Sequence, residues 1–269
     1  SLRLRFCKYV TVRGVIVVAD NCTDNTADLA LAHGAEVICT VGNTDKKAGA
    51  LNFALKALLD DCDPDDLILV QDADSQLSHD FIENAVRHLS SDDALGAVGG
   101  VFRGGDGGGF VGHLQRNEYA RYARDVERLN GKCLVVTGTA ALFRVRTLRG
   151  VSRSRIEGSL PAGNGVGGVY VTSVLTEDNE LSFALLTLGF KILSPADCTL
   201  VTEVMPTWRE LWAQRLRWKR GAVESCVQYG WTKVTRPYWG RQLLSMVGVL
   251  VTVAYVASIG VALGSGNGL

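Results

Sequence analysis

Two carboxylates one residue apart, Asp72 and Asp74 in Asp72-Ala73-Asp74, follow the apolar run Leu67 to Val70. On a strand, positions i and i+2 project to the same side, so both side chains reach one point while Ala73 faces away. Two hard oxygen donors suit Mg2+ or Mn2+, and either ion suits a diphosphate. A D-x-D triplet alone reads equally well as a solvated strand end, so its weight depends on its companions. Asp20 ends a second apolar run, Val15 to Ala19, and Lys47 stands with Gly49 just before a helical pattern, where an ammonium can pair with phosphate oxygens. Glu177-Asp178 opens another helix after Thr176; a carboxylate there serves as a base if it faces the site, or simply answers the helix dipole. Gln214 and Arg217 are three apart and share a helical face beside Trp218. They offer an amide, a guanidinium and an indole to a phosphate or sugar, or else form the polar side of a helix lying on a membrane.

Strand ends and helix starts must hold these residues. Gly14 to Asp20 reads as a buried strand, Asn21 to Thr26 as turn and cap residues, and Ala27 to Leu31 as a helix that Gly34 stops. A short strand, Val37 to Cys39, precedes a helix from Ala48 to Asp60 with Leu51, Ala54, Leu55 and Leu58 on one face. The strand Leu67 to Val70 leads past the D-x-D triplet to a helix carrying Phe81, Ile82, Ala85, Val86 and Leu89. This alternation predicts an α/β domain with a mostly parallel sheet, in which ligands gather beyond the carboxyl ends of the strands. Glycine-dense segments, Gly99 to Gly112 and Gly158 to Gly168, read as mobile loops. Between them the pattern predicts a charged helix, His113 to Leu129, and a strand, Leu134 to Val145; a further helix runs from Thr176 to Leu188.

The 269 residues carry 28 Lys+Arg and 28 Asp+Glu, with 47% hydrophobic residues, which excludes a disordered tail and a small disulfide scaffold. That neutrality is a cancellation. Residues 206–241 hold eight basic and two acidic side chains and all five tryptophans, leaving −6 on the first 205 residues. The seven cysteines are dispersed without a C-x-x-C pair, so reduced thiols are expected and a zinc site is not. Leu243 to Leu263 is 21 residues without a charge, long enough as a helix to cross a hydrocarbon core of about 30 Å. Lys233, Arg236 and Arg241 precede it, so the positive-inside rule puts the acidic portion in the cytoplasm; no signal peptide is read at the start. The division expected is a catalytic domain over 1–205, basic Trp-rich interface helices over 206–241 and a transmembrane helix over 242–264. The partner expected for the basic, indole-rich stretch is membrane lipid, not nucleic acid.

In sequence and spacing, Asp20, Lys47, Asp72-Ala73-Asp74, Thr176-Glu177-Asp178 and Gln214 to Trp218 resemble the membrane-bound family 2 glycosyltransferases, among them the synthases of cellulose, hyaluronan, chitin and poly-N-acetylglucosamine. The resemblance covers roughly residues 15 to 241, and its T-E-D and Q-x-x-R-W pair is far more specific than D-x-D. It implies a GT-A-like nucleotide-binding domain and an inverting transfer of sugar from a UDP-sugar to a carbohydrate acceptor at the cell membrane, with Mg2+ or Mn2+ as cofactor. It further implies that Asp20 contacts the uracil or ribose, Lys47 and Asp72 the nucleotide, and that Asp74 with Asp72 holds the metal. Asp178 would be the general base with Glu177 beside it; Gln214, Arg217 and Trp218 would hold the diphosphate and line the acceptor side, and Thr137 and Gly138 would lie beneath the acceptor sugar. One departure stands out: the family's P-x-x-N-E-like turn, which contributes to nucleotide binding, has no counterpart in residues 1–14. Either the chain is part of a longer one or its base site is incomplete. Two other readings stay open, transfer of a single sugar to a polyprenyl-phosphate or other lipid acceptor and a catalytically silent nucleotide-sugar-binding subunit. The sugar, the acceptor, processivity and oligomeric state are not set by these residues.

Overall fold

The computed structural model describes residues 10–265; most of the N-terminal segment that lacks the P-x-x-N-E-like turn lies outside them. The chain opens with β1 (Ile16–Asp20), α1 (Thr26–Ala32), β2 (Glu36–Thr40), α2 (Lys46–Asp61), β3 (Leu67–Gln71), β4 (Gln76–Leu77) and α3 (Phe81–Ser91). It continues through β5 (Leu95–Gly99), β6 (Val101–Gly104), α4 (Gly109–Arg128), β7 (Ala140–Arg144), α5 (Val145–Ile156), α6 (Glu177–Thr187), β8 (Lys191–Leu193) and β9 (Thr199–Thr202). Two long helices follow, α7 (Trp208–Tyr229) and α8 (Arg236–Gly264).

The central sheet runs β3-β7-β5-β8, with β1-β2 and β4-β9-β6 as smaller sheets. It is mixed where the sequence pattern predicts mostly parallel: β7 runs antiparallel to both β3 and β5, while β5–β8, β1–β2 and β6–β9 are parallel. The regular alternation breaks after β5: β6 joins another sheet, and the chain comes back through α4 and residues 129–139 to place β7 antiparallel between β3 and β5. Period-two side chains then divide the core in two. Ala141 and Phe143 of β7, with Ile68 and Val70 of β3, face Leu55, Leu148, Leu181 and Leu185 of the helices on one side. Ala140 and Leu142, with Leu67 and Leu69, face Phe81, Ala85 and Leu89 of α3 on the other.

The glycines from Gly99 to Gly104 serve close packing instead of mobility, which corrects the loop expected there. β5 is buried along its whole length, and a Cβ on Gly100 would meet Leu200 Cδ2 at 2.3 Å. Helix α4 begins at Gly109, inside the same predicted loop, and the expected strand from Leu134 shortens to β7 because residues before Ala140 turn away to line a cavity. Helix α5 was not foreseen at all.

Helix α7 starts at a capping box in which Thr207 Oγ1 accepts from the Glu210 amide at 3.2 Å and Glu210 Oε2 accepts from the Thr207 amide at 3.2 Å. Its residue Gly221 packs directly on Thr176, where a Cβ would lie 2.3 Å from Oγ1. That contact brings the Gln214 to Trp218 segment beside the start of α6. Helix α8 is long and apolar enough to cross a membrane, and the structure buries none of its residues. The division expected at 241/242 falls within its first two turns.

Candidate active site

Strand β3 ends at Gln71, so Asp72, Ala73 and Asp74 form a turn beyond it, closed by the Ser75 amide donating to the Asp72 carbonyl at 3.2 Å. The same-side strand argument for the two carboxylates therefore does not apply; the turn, not the pleat, directs both into one cavity. The Asp72 amide donates to the Thr139 carbonyl at 3.0 Å, which pins this turn to the 137–139 loop. Asp74 accepts from the Ser75 hydroxyl at 3.1 Å.

Lys47 links the early and late halves of the chain. Its Nζ lies 2.5 Å from Asp72 Oδ1, 3.0 Å from Glu177 Oε1 and 3.3 Å from the Gly138 carbonyl. Burial alone would lower this ammonium's pKa, yet the carboxylates of Glu177 and Asp72 outweigh it and hold the pKa above the ordinary lysine value. Asp72 is pushed up by burial, and Lys47 offsets only part of that.

Asp178 sits at the start of α6, where Oδ2 accepts from the Gly138 amide at 2.9 Å and Oδ1 from the Asn179 amide at 2.8 Å. Gly138 lies directly against both groups: a Cβ there would stand 3.4 Å from the Asp178 carboxylate and from Lys47 Nζ, at van der Waals contact. Burial, then the Glu177 carboxylate, push Asp178 up to about 6 against the two backbone amides and Lys47. Such a carboxyl is mostly ionised at neutral pH and more basic than an ordinary aspartate, which suits proton abstraction.

Gln214, Arg217 and Trp218 line the same cavity of about 1500 Å³, together with Lys47, Asp72, Asp74, Thr137, Gly138, Glu177 and Asp178. Asp20 is the exception among the residues singled out from sequence. It stands at the ends of β1 and β2, where Oδ1 accepts from Thr40 Oγ1 at 2.5 Å and Asn43 Nδ2 at 2.8 Å, and it does not line the cavity.

The chain matches the family described as "Glycosyl transferase family 2" over residues 12–151, just over half its length. The chain belongs to glycosyl transferase family 2. This family 2 chain is 26% identical over 216 residues to a poly-beta-1,6-N-acetyl-D-glucosamine synthase of Staphylococcus aureus, a match covering 78% of the chain and 47% of that relative. A synthase of the same name from Staphylococcus epidermidis is 23% identical over 256 residues, or 90% of the chain and 57% of the relative. The chain thus spans about half the length of these curated relatives. Among solved structures, a mannosyltransferase from Pyrobaculum calidifontis in complex with GDP-Man and Mn2+ superposes with a TM-score of 0.63 at 20% identity, covering 93% of this chain and 66% of that one. The fold is of the GT-A type.

Several residues that organise this family 2 site carried no signal in the sequence. Tyr238 of α8 donates to Asn179 Oδ1 at 3.1 Å, next to Asp178. Arg215 stacks on Trp218 with its guanidinium carbon 4.4 Å from the ring centroid and pairs with Glu118 of α4 at 2.7 Å. Fully buried Arg155 pairs with fully buried Glu180 at 2.7 Å, and Tyr229 donates to Glu180 at 2.5 Å, joining α5, α6 and α7. Arg215 lies inside the Gln214 to Trp218 segment and was the one among them open to suspicion; the others depend on long-range packing.

Proposed function

We propose that this family 2 glycosyltransferase moves a sugar from a UDP-sugar to a carbohydrate acceptor with inversion, at the cytoplasmic face of the membrane, as a polysaccharide synthase does. One observation carries the reading: the D-x-D turn, the start of α6 and the Gln214 to Trp218 segment, far apart in sequence, line a single cavity with Lys47 joining the first two. In one displacement, the acceptor hydroxyl oxygen bonds to the anomeric carbon, the bond from that carbon to the diphosphate oxygen breaks, and the hydroxyl proton passes to Asp178. Arg217 and Lys47 face the diphosphate as its charge grows, and Glu177 keeps Asp178 basic.

Asp72 and Asp74 fit a divalent ion. Both line the cavity and bring oxygen donors, the ligand type Mg2+ and Mn2+ take; no group of three His, Cys, Asp or Glu converges among the described residues, so donor phosphates would have to complete the shell. When bound, such an ion neutralises charge on the leaving diphosphate. The relatives' names make N-acetylglucosamine the first sugar to test. Residues 1–205 form the catalytic domain in this reading, 206–241 the interface helices and 242–264 the membrane span. Basic side chains before that span favour a cytoplasmic catalytic face.

A panel of UDP-sugars with Mg2+ or Mn2+, followed by mass measurement of products, tests the proposal. A ladder of oligomers is expected; single additions to a polyprenyl phosphate, or no turnover of any donor, would overturn it. Asp178→Asn should lower transfer by about 100-fold or more while UDP still binds.

A further inference from the structure

The ammonium of Lys47 is fully engaged. It has three N–H donors, and they meet Asp72 Oδ1 at 2.5 Å, Glu177 Oε1 at 3.0 Å and the Gly138 carbonyl at 3.3 Å. Its charge still reaches a diphosphate, but no N–H is left to bind one while these contacts stand. Its neighbour in sequence is placed differently. Lys46 is exposed and lines the same cavity beside Lys47 and Asp72, and among the described residues no carboxylate lies within 4.0 Å of its ammonium. The backbone of Lys46 has a φ of 55°, in the left-handed region that glycine takes freely and other residues take at a cost. The surroundings hold it there. Asn43 Nδ2 donates to the Lys46 carbonyl at 2.7 Å and to Asp20 Oδ1 at 2.8 Å. Gly49 packs so close to this turn that a Cβ on it would stand 2.3 Å from Asn43 Oδ1 and 2.5 Å from Asp45 Cβ. Lysine at position 46 therefore runs against local preference, and a glycine would form the same turn with less strain. What glycine lacks is an ammonium at the cavity wall.

We propose that Lys46 is the residue of α2 that binds the donor's diphosphate directly, while Lys47 is the strut that joins Asp72 to Glu177. This role rests on the reading of the cavity as a nucleotide-sugar site. Asp72 and Asp74 alone repel phosphate oxygens. A compact ammonium with all three donors free meets those oxygens, and it does so without drawing Lys47 away from its two carboxylates. Two adjacent lysines thus divide the work, one holding the site together and the other holding the ligand.

The test uses the full chain in membranes and measures equilibrium binding of UDP, thermal melting, and donor KM with UDP-N-acetylglucosamine or whichever donor the panel identifies. Lys46→Gly removes the ammonium and relieves the backbone. Lys46→Asn removes it with a residue that tolerates left-handed φ, and Lys46→Arg keeps the charge. The expected result is UDP affinity and donor KM each weakened about 10-fold or more in the glycine and asparagine variants, with UDP affinity within about threefold of wild type in the arginine variant. The glycine variant should melt no lower than wild type, and its UDP affinity should fall less steeply with added NaCl than that of wild type. UDP affinity within about twofold of wild type in both uncharged variants overturns the inference. So does a melting temperature lowered in both, since the loss would then report a damaged turn, or an equal salt dependence in wild type and Lys46→Gly. Release of UDP by the wild type separates the two levels: without it for any donor, the function reading fails and the diphosphate contact with it; with it, normal UDP binding in Lys46→Gly and Lys46→Asn rejects the contact alone.

Discussion

Asp178 is the residue whose environment most directly predicts behaviour. Its carboxyl is pushed up to about 6, first by burial and then by Glu177; in the proposed role of base it must lose its proton before turnover. The kcat/KM profile is therefore expected to rise with pH through about 6 and level off above it, since the working form is the ionised one. Glu177→Gln removes the second of the two upward influences, and the acid limb should move to lower pH. A pH series of UDP release checks both, and a limb that stays in place in Glu177→Gln would detach that limb from Asp178. The site was largely legible at this scale because its charged residues stand where apolar runs stop and helical patterns start. Asp20 was the least well read: its type and position were clear, but Asn43, which holds it across the β1–β2 ends, announced nothing in the sequence.

Elements hold these residues by contacts that leave no trace in local pattern. Gly221 lets α7 touch Thr176, and a Cβ there would overlap the Thr176 side chain. Gly221→Val is expected to push the Gln214 to Trp218 segment away from α6 and lower donor kcat/KM by about 10-fold or more, with helix content by circular dichroism unchanged. The buried Arg155–Glu180 pair makes a second prediction. Arg155→Met leaves a carboxylate stranded in the core and should cost about 3–5 kcal/mol in denaturant unfolding, while Arg155→Met with Glu180→Leu costs less than the single change. Sequence periodicity found α2, α3 and α6 because each pairs a helical repeat with clear end signals. It missed α5, where Val145, Leu148 and Val151 are spread among four arginines, left β5 unassigned, and read β6 as loop because tight packing there demands glycine. The antiparallel entry of β7 was illegible for another reason: strand direction depends on a connection, not on the strand's own residues.

At the scale of the whole molecule, the chain is polarised between an acidic domain and a basic, aromatic end that continues into α8. That helix has 29 residues, exposes its apolar side chains along its length and, among the described residues, is hydrogen-bonded to the domain near its start. Water is a poor solvent for such a surface, while a bilayer core of about 30 Å matches its uncharged portion. Placing arginine at Val251 and Tyr255, both fully within that portion, should cost about 2.5–3.5 kcal/mol each on insertion. Val251→Arg with Tyr255→Arg is therefore expected to shift the protein from the membrane to the soluble or aggregated fraction on flotation, and to lower polymer synthesis. Single UDP-sugar hydrolysis in any folded soluble fraction should fall less, because Lys47, Asp72, Asp74 and Asp178 lie outside α8. Retention of the double variant in floated membranes would mean that α8 is not the anchor, and the exposed tryptophans Trp208, Trp212 and Trp231 would then be the surface that holds the enzyme to lipid.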